Sequence, residues 1–277
     1  MSLTKTGLVL EGGGLRGMYT AGVLDAFLEQ GITFDVGVGV SAGAAYGISY
    51  VSGQKGRNLK ICEKYLNDKR YVSLRNLFKE GALFGQTFVY EDIPRKLVPF
   101  DYNAYFKSKT KFLAGVTNVL TGEIEYYQMK NDRYKYDLFK ATCALPLVSP
   151  IIPMGTGLYL DGGIADPIPY KQALKEGCEK LVIILTRHRG YVKEPEKAIW
   201  FSKLYYRKYP KLIEAMKRRH IVYNEQLEEI AELEKEGKAV IIAPTRPVKI
   251  KRIETNIDKI RGLYSKGYED GHFSRLW

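Results

Sequence analysis

Ser41 stands in Gly39-Val40-Ser41-Ala42-Gly43, a G-x-S-x-G pattern in which a strand turns sharply into a helix and holds the serine hydroxyl exposed at the sheet edge. The small residues Gly39, Ala42 and Gly43 permit that turn. Just upstream, Gly12-Gly13-Gly14-Leu15-Arg16-Gly17 forms a glycine-rich loop. Its unobstructed N–H groups, backed by the dipole of a following helix, can point at an oxygen that becomes negative during acyl transfer. Far downstream, Asp161-Gly162-Gly163 follows the short apolar run Gly157 to Leu160. A serine hydroxyl is a poor nucleophile until a neighbour takes its proton, and a carboxylate made more basic by burial can do so. The ordinary alternatives are glycines that merely allow tight turns and close packing, and an aspartate that caps a turn ahead of Pro167 and Pro169.

The elements that must position these groups are legible around them. Thr6 to Leu10 reads as a buried strand, Met18 to Leu28 as a helix, Phe34 to Val40 as a valine-rich strand, and the charge-free stretch Ala42 to Val51 as a buried helix. Strand, helix and strand make a right-handed βαβ unit with parallel strands, so the glycine loop and Ser41 are expected at the same sheet edge. The loop also fits the G-x-G-x-x-G dinucleotide fingerprint, with Asp35 at about the spacing of a ribose ligand, which would make the chain a nicotinamide-dependent oxidoreductase. Against this, Asp35 precedes its strand, whereas a ribose ligand belongs at a strand's carboxyl end.

With these three elements in order, the chain resembles the patatin-like phospholipases, lipid acyl hydrolases that use a Ser-Asp dyad. The family's oxyanion loop matches Gly12 to Gly17, its nucleophile motif matches Gly39 to Gly43, and its D-G-A/G element matches Asp161 to Gly163. Ala141-Thr142-Cys143-Ala144-Leu145-Pro146 is similar to the segment that commonly precedes the family's aspartate. The resemblance implies a three-layer α/β/α fold with a mostly parallel central sheet, Ser41 as nucleophile, Asp161 as proton acceptor, and Gly12, Gly13, Gly14, Leu15, Arg16 and Gly17 around the oxyanion. The implied substrate is a lipid or fatty-acyl ester; phospholipid, lysophospholipid, acylglycerol and thioester all suit the same groups, since specificity lies in pocket shape. This chemistry needs no metal or organic cofactor. A third member, His188, follows the strand Leu181 to Thr186, but it stands between the positive charges of Arg187 and Arg189 and a surface loop is the simpler account.

Length and composition set the remaining bounds. A chain of 277 residues with 45% hydrophobic content can bury a full α/β core, and we expect one domain over 1–277, with a motif-bearing core over about 5–190 and a helical extension over about 191–277. Cys62, Cys143 and Cys178 are widely spaced and odd in number, which argues against a disulfide framework or zinc site and for a reducing, cytoplasmic setting. The charge-free stretch Val36 to Gln54 is long enough to raise a membrane-spanning question, but it is rich in glycine, alanine and serine and holds the elbow. The start, Met1 to Lys5, runs into the first strand without the sequence of an export signal.

Further along, Lys55 to Arg75 reads as an amphipathic helix and a connection. The stretch from Leu77 to Phe106 reads as irregular and aromatic, a candidate lid. Lys111 to Val119 and Glu123 to Met129 read as a hairpin. Charged helices are expected over Glu196 to Arg219, Ile221 to Glu236 and Asn256 to Arg275, with a strand at Ala239 to Ala243. Between Glu196 and Arg219 stand eight lysines or arginines against two acids, a surplus of six that is half of the chain's net +12. There Trp200, Phe201, Leu204 and Tyr205 recur at helical spacing beside Lys203, Arg207, Lys208 and Lys211. A core-facing stripe with solvated lysines behind it is the ordinary expectation, and a basic aromatic face for peripheral contact with an anionic membrane is the other. The charge, with 21 tyrosines, also leaves room for a nucleic-acid-binding protein, but no recognised module accompanies it and no nucleic acid is expected.

Overall fold

The computed structural model describes residues 4–129, 135–197, 199–251 and 253–276. Met1 to Leu3, part of the stretch read above for an export signal, lie outside the described residues. The first βαβ unit forms as expected. Strand β1 (Thr6–Leu10) runs into the glycine loop and a 3-10 turn (Gly14–Gly17), then helix α1 (Met18–Glu29), strand β2 (Val36–Val40) and helix α2 (Ala42–Val51). Strands β1 and β2 pair in parallel, Leu10 opposite Gly39, so the glycine loop and Ser41 leave the sheet at the same edge.

The chain continues through α3 (Arg57–Tyr65), α4 (Leu74–Glu80), a π-helical segment (Phe88–Leu97) and α5 (Tyr102–Lys107) to the hairpin β3 (Lys111–Asn118) and β4 (Ile124–Gln128). After α6 (Lys135–Thr142) come β5 (Ile152–Met154), β6 (Gly157–Asp161), α7 (Tyr170–Lys175) and β7 (Lys180–Ile184). The remainder forms α8 (Ile199–Tyr205), α9 (Pro210–Lys235), β8 (Ala239–Ile242) and α10 (Ile257–Phe273). The eight-stranded sheet has the order β5-β6-β3-β2-β1-β7-β8, with β4 pairing β3 off that path. Its centre is parallel, and the pairs of β3 with β4 and β6, and of β5 with β6, are antiparallel.

Strand alternation assigns the two faces. Leu8 and Leu10 of β1 face one apolar core with Tyr19 and Phe27 of α1 and Ile260 of α10, whereas Val9 faces a second core with Tyr170 of α7 and Tyr223 and Ile230 of α9. The mixed sheet is thus covered on both sides, the three-layer α/β/α arrangement expected from the sequence. Helices α1 and α10 approach closely: a Cβ on Gly22 would stand 2.1 Å from the Tyr264 carbonyl oxygen, and one on Gly267 2.0 Å from that of Tyr19. Two tyrosines lock this contact, Tyr19 donating to Asp270 and Tyr264 to Asp25, each at 2.7 Å. Burial raises the Asp25 carboxyl above its usual range.

Three sequence expectations are corrected. The stretch Leu77 to Phe106 is largely helical, because its aromatic and aliphatic side chains pack inward: Phe88, Ile93 and Tyr105 are buried, with Phe88 edge-on to Tyr65. The helix break expected near His220 falls at 206–209 instead. Pro210 begins α9, a position where its missing N–H and fixed φ suit a helix start, and α9 then runs unbroken through His220. The stripe on α8 does not face the core. Trp200, Phe201, Leu204 and Tyr205 are all exposed, and the buried residue of this helix is Ser202. Among the described residues no helix is long and apolar enough to cross a membrane.

Candidate active site

Strand β3 aligns the two candidate catalytic residues. Val40, the residue before Ser41, pairs with Gly115, and Asp161 at the end of β6 pairs with Val116, the next position along β3. Two distant parts of the chain are therefore brought together by consecutive steps of one strand. The approach depends on Gly162, where a Cβ would stand 2.2 Å from the Gly115 carbonyl oxygen and 3.0 Å from Val40 Cγ1.

Ser41 occupies the elbow with φ 54°, a left-handed backbone that a non-glycine residue adopts only under constraint from its surroundings. Here the constraint includes Thr142. Its Oγ1 accepts the Ser41 N–H at 3.0 Å and donates to the Gly115 carbonyl at 2.7 Å, all within the protein interior. Two glycines make the turn possible: a Cβ on Gly39 would meet Ala44 N at 2.8 Å, and one on Gly43 would meet the Leu10 carbonyl oxygen at 2.5 Å.

Asp161 is held as firmly. Its N–H donates to the Ala144 carbonyl at 2.9 Å, its carbonyl accepts from Thr117 Oγ1 at 2.8 Å, and its Oδ1 accepts from the Gly163 N–H at 2.8 Å. The segment Ala141 to Pro146 thus serves both residues, Thr142 supporting Ser41 and Ala144 supporting Asp161, while Leu145 and Pro146 line the cleft. Burial, then the neighbouring Asp161 charge, pushes the Cys143 thiol well above its ordinary value.

Ser41, Asp161, Gly12, Gly13, Gly14 and Arg16 line one cleft of about 260 Å³. Leu15 and Gly17, the other members of the glycine loop, are buried beneath it, where a Cβ on Gly17 would press on Tyr46 at 2.6 Å. Among the described residues, none accepts a hydrogen bond from the N–H of Gly12, Gly13 or Gly14. Sequence reasoning missed the residue that fixes this loop. Glu11 is 4% exposed and accepts from the Thr186 N–H at 2.5 Å, Thr186 Oγ1 at 3.0 Å and the Tyr223 hydroxyl at 2.9 Å. It joins the loop to the end of β7 and to α9. Its only local signal is an acid placed at the end of a buried strand.

Arg219, read with the other cations of its segment, also reaches the cleft, and its Nε donates to the Gly163 carbonyl. Two further cations lie over aromatic rings of the wall. Arg187 stands 4.5 Å from the ring centre of Tyr191, and Lys193 stands 5.6 Å from that of Tyr223. Of the acids lining the cleft, Glu196 is exposed, and Glu11 and Asp161 are buried, Glu11 holding Thr186 and Tyr223 and Asp161 holding the Gly163 N–H.

The other candidates fall elsewhere. His188 lies edge-on to Tyr191 and is not among the residues lining the cleft. Asp35 accepts from the Thr6 N–H at 2.7 Å at the amino end of β1, so the glycine loop and the acid required of a dinucleotide site occupy opposite ends of the sheet. Of the stretch from Leu77 to Phe106, Leu83 alone lines the Ser41 cleft. The rest helps enclose a separate, largely apolar cavity of about 140 Å³, to which α2 contributes Ala45, Tyr46 and Ile48.

A family model described as patatin-like phospholipase matches residues 8–174 of this chain, and one described as a domain of unknown function, DUF6363, matches residues 209–274. The chain is 30% identical over 207 residues to the Escherichia coli K12 protein YjjU, which carries the description "uncharacterized", with 72% of this chain and 56% of YjjU covered. It is 24% identical over 189 residues to the lysophospholipase NTE1 of Saccharomyces cerevisiae, covering 64% of this chain and 10% of that one. The crystal structure of VipD from Legionella pneumophila aligns over 97% of this chain and 66% of its own, with 14% identity and a TM-score of 0.46. The chain therefore spans about half the length of YjjU and about a tenth of NTE1.

Proposed function

The chain belongs to the patatin-like phospholipase family, and from that premise we propose that it is a serine acyl hydrolase of lipid esters, of the phospholipase A or lysophospholipase type. Ser41 attacks the ester carbonyl, Asp161 takes its proton, and the N–H groups of the glycine loop stabilise the oxyanion. Asp161 then returns the proton to the leaving alcohol. Water, activated by the same carboxylate, cleaves the acyl-enzyme and restores Ser41. The observation that carries this reading is the pairing of Val40 and Asp161 with consecutive positions of β3, which sets a buried carboxylate beside an elbow serine in one cleft. The partner we propose is a lipid or fatty-acyl ester, met by peripheral contact with an anionic membrane surface.

The test is covalent. A fluorophosphonate should label Ser41, and Ser41→Ala should abolish labelling and the hydrolysis of p-nitrophenyl esters while the protein stays folded. Asp161→Asn removes the base at nearly constant size and should slow hydrolysis by about 100-fold or more, whereas His188→Ala should change it little. Labelling at another residue, or a collapse on removing His188 with Asp161→Asn tolerated, would overturn the dyad.

A further inference from the structure

Seven large apolar side chains among the described residues are 63% to 88% exposed; one of them lies between two residues that line the Ser41 cleft, and five lie on two helices tied by hydrogen bonds to lining residues. Val192 lies between Tyr191 and Lys193, both of which line the cleft. Trp200, Leu204 and Tyr205 belong to α8. This helix starts just after the lining residue Glu196, whose carbonyl accepts the Ile199 N–H, and it is followed by Tyr206, whose hydroxyl accepts the N–H of the lining residue Leu147 at 2.9 Å. Leu74 and Phe78 belong to α4. Its capping residue Ser73 donates its N–H to the Leu83 carbonyl, and Leu83 in turn donates to the carbonyl of Val148. Leu83 and Val148 are also lining residues. Exposed apolar surface held in this way to residues of one cleft marks an interaction site.

The charge around it indicates what covers it. Arg75 and Lys79 on α4, Lys203 on α8, and Arg207 and Lys208 just beyond are all exposed, and no acid among the described residues pairs with any of them. By contrast Lys211 has Glu214 at 3.9 Å. The acids on these segments are Glu80, which accepts the N–H groups of Gln86 and Thr87, and the exposed Glu194 and Glu196. Aromatic and aliphatic side chains interleaved with unpaired cations suit the boundary between acyl chains and anionic headgroups.

We propose that α4, α8 and Val192 form a single docking rim that seats the mouth of the Ser41 cleft on an anionic lipid bilayer. The apolar side chains enter the interface, and the five cations face lipid phosphates. The proposal rests on the reading of the cleft as a lipid-ester site, and it explains how an acyl chain leaves the bilayer for Ser41 without crossing water.

The test uses the whole chain as Ser41→Ala, so that vesicles stay intact, in cosedimentation with vesicles of phosphatidylcholine alone and of equal parts phosphatidylcholine and phosphatidylglycerol. Binding should favour the anionic vesicles and weaken as salt shortens the reach of surface charge. Adding Phe78→Ser, Trp200→Ser and Leu204→Ser together should lower vesicle binding about tenfold or more, and so should glutamine at the five cations, which should also remove the salt dependence. In the Ser41 background both sets should leave hydrolysis of a soluble p-nitrophenyl ester unchanged, and melting curves should show both folded. No vesicle binding by the parent protein, or binding unchanged in both variants, would overturn the rim. Loss of self-association with vesicle binding intact would assign the patch to a second copy and overturn it equally. Vesicle binding without any Ser41-dependent ester hydrolysis would leave the rim standing and sink the hydrolase reading instead.

Discussion

The hydroxyl of Thr142 does two things at once, accepting the Ser41 N–H and donating to the Gly115 carbonyl across a sequence separation of 101 residues from Ser41. Both partners lie where water does not replace a lost bond, since Thr142 is fully buried. Thr142→Val keeps the shape and removes both bonds, leaving a buried N–H and a buried carbonyl short of a partner, at roughly 1–3 kcal/mol for each such group. The melting temperature should fall by several degrees, and hydrolysis should fall further than stability alone accounts for, because the strained elbow loses a restraint. Thr142→Ser retains the hydroxyl and should stay close to the parent in both measurements. A valine variant as stable and active as the parent would show that other contacts hold the elbow.

At the scale of elements, β3 sets the separation of Ser41 and Asp161, the nucleophile and base we propose, and Gly162 sets how closely β6 can join it. A Cβ at 162 meets backbone that cannot swing aside, whereas one at 163 meets Asp161 Oδ1 at 3.1 Å. Gly162→Ala should therefore push the end of β6 away from β3, costing about 1–3 kcal/mol as overpacking does. It should also reduce hydrolysis severely by moving Asp161. Gly163→Ala should be milder on both counts; equal effects in melting and ester hydrolysis would refute this role for β3. The βαβ unit was legible because β1 and β2 are apolar runs that end in glycine motifs, a local signal. So was the β3–β4 hairpin, where Gly122 adopts φ 73° at the turn. What escaped was non-local. Glu11, Thr142 and Arg219 act through partners far away in the chain, and no spacing in the sequence reports them. The exposed stripe of α8 escaped for another reason: helical periodicity tells which residues share a face, and leaves open whether that face meets the core or the surface.

For the whole molecule, the two family matches divide the chain at a place where its packing does not. Residues 8–174 supply β1 to α7, yet β8 extends their sheet beside β7, Tyr223 of α9 holds Glu11, and α10 lies against α1. The expectation of one domain over 1–277 then has a measurable consequence. Gly267, in the DUF6363 match, faces backbone of α1, which belongs to the patatin-like match, and a valine there has no room within 2.0 Å of the Tyr19 carbonyl oxygen. Gly267→Val should separate α10 from α1 and strain the bonds from Tyr19 to Asp270 and from Tyr264 to Asp25, lowering stability by at least about 1–3 kcal/mol. If the chain is one cooperative unit, calorimetry should show a single transition moved to lower temperature, with ester hydrolysis lost in the same step. Two transitions, with the hydrolytic activity surviving the first, would mean that the carboxyl-terminal helices form a separable layer around a self-sufficient catalytic core.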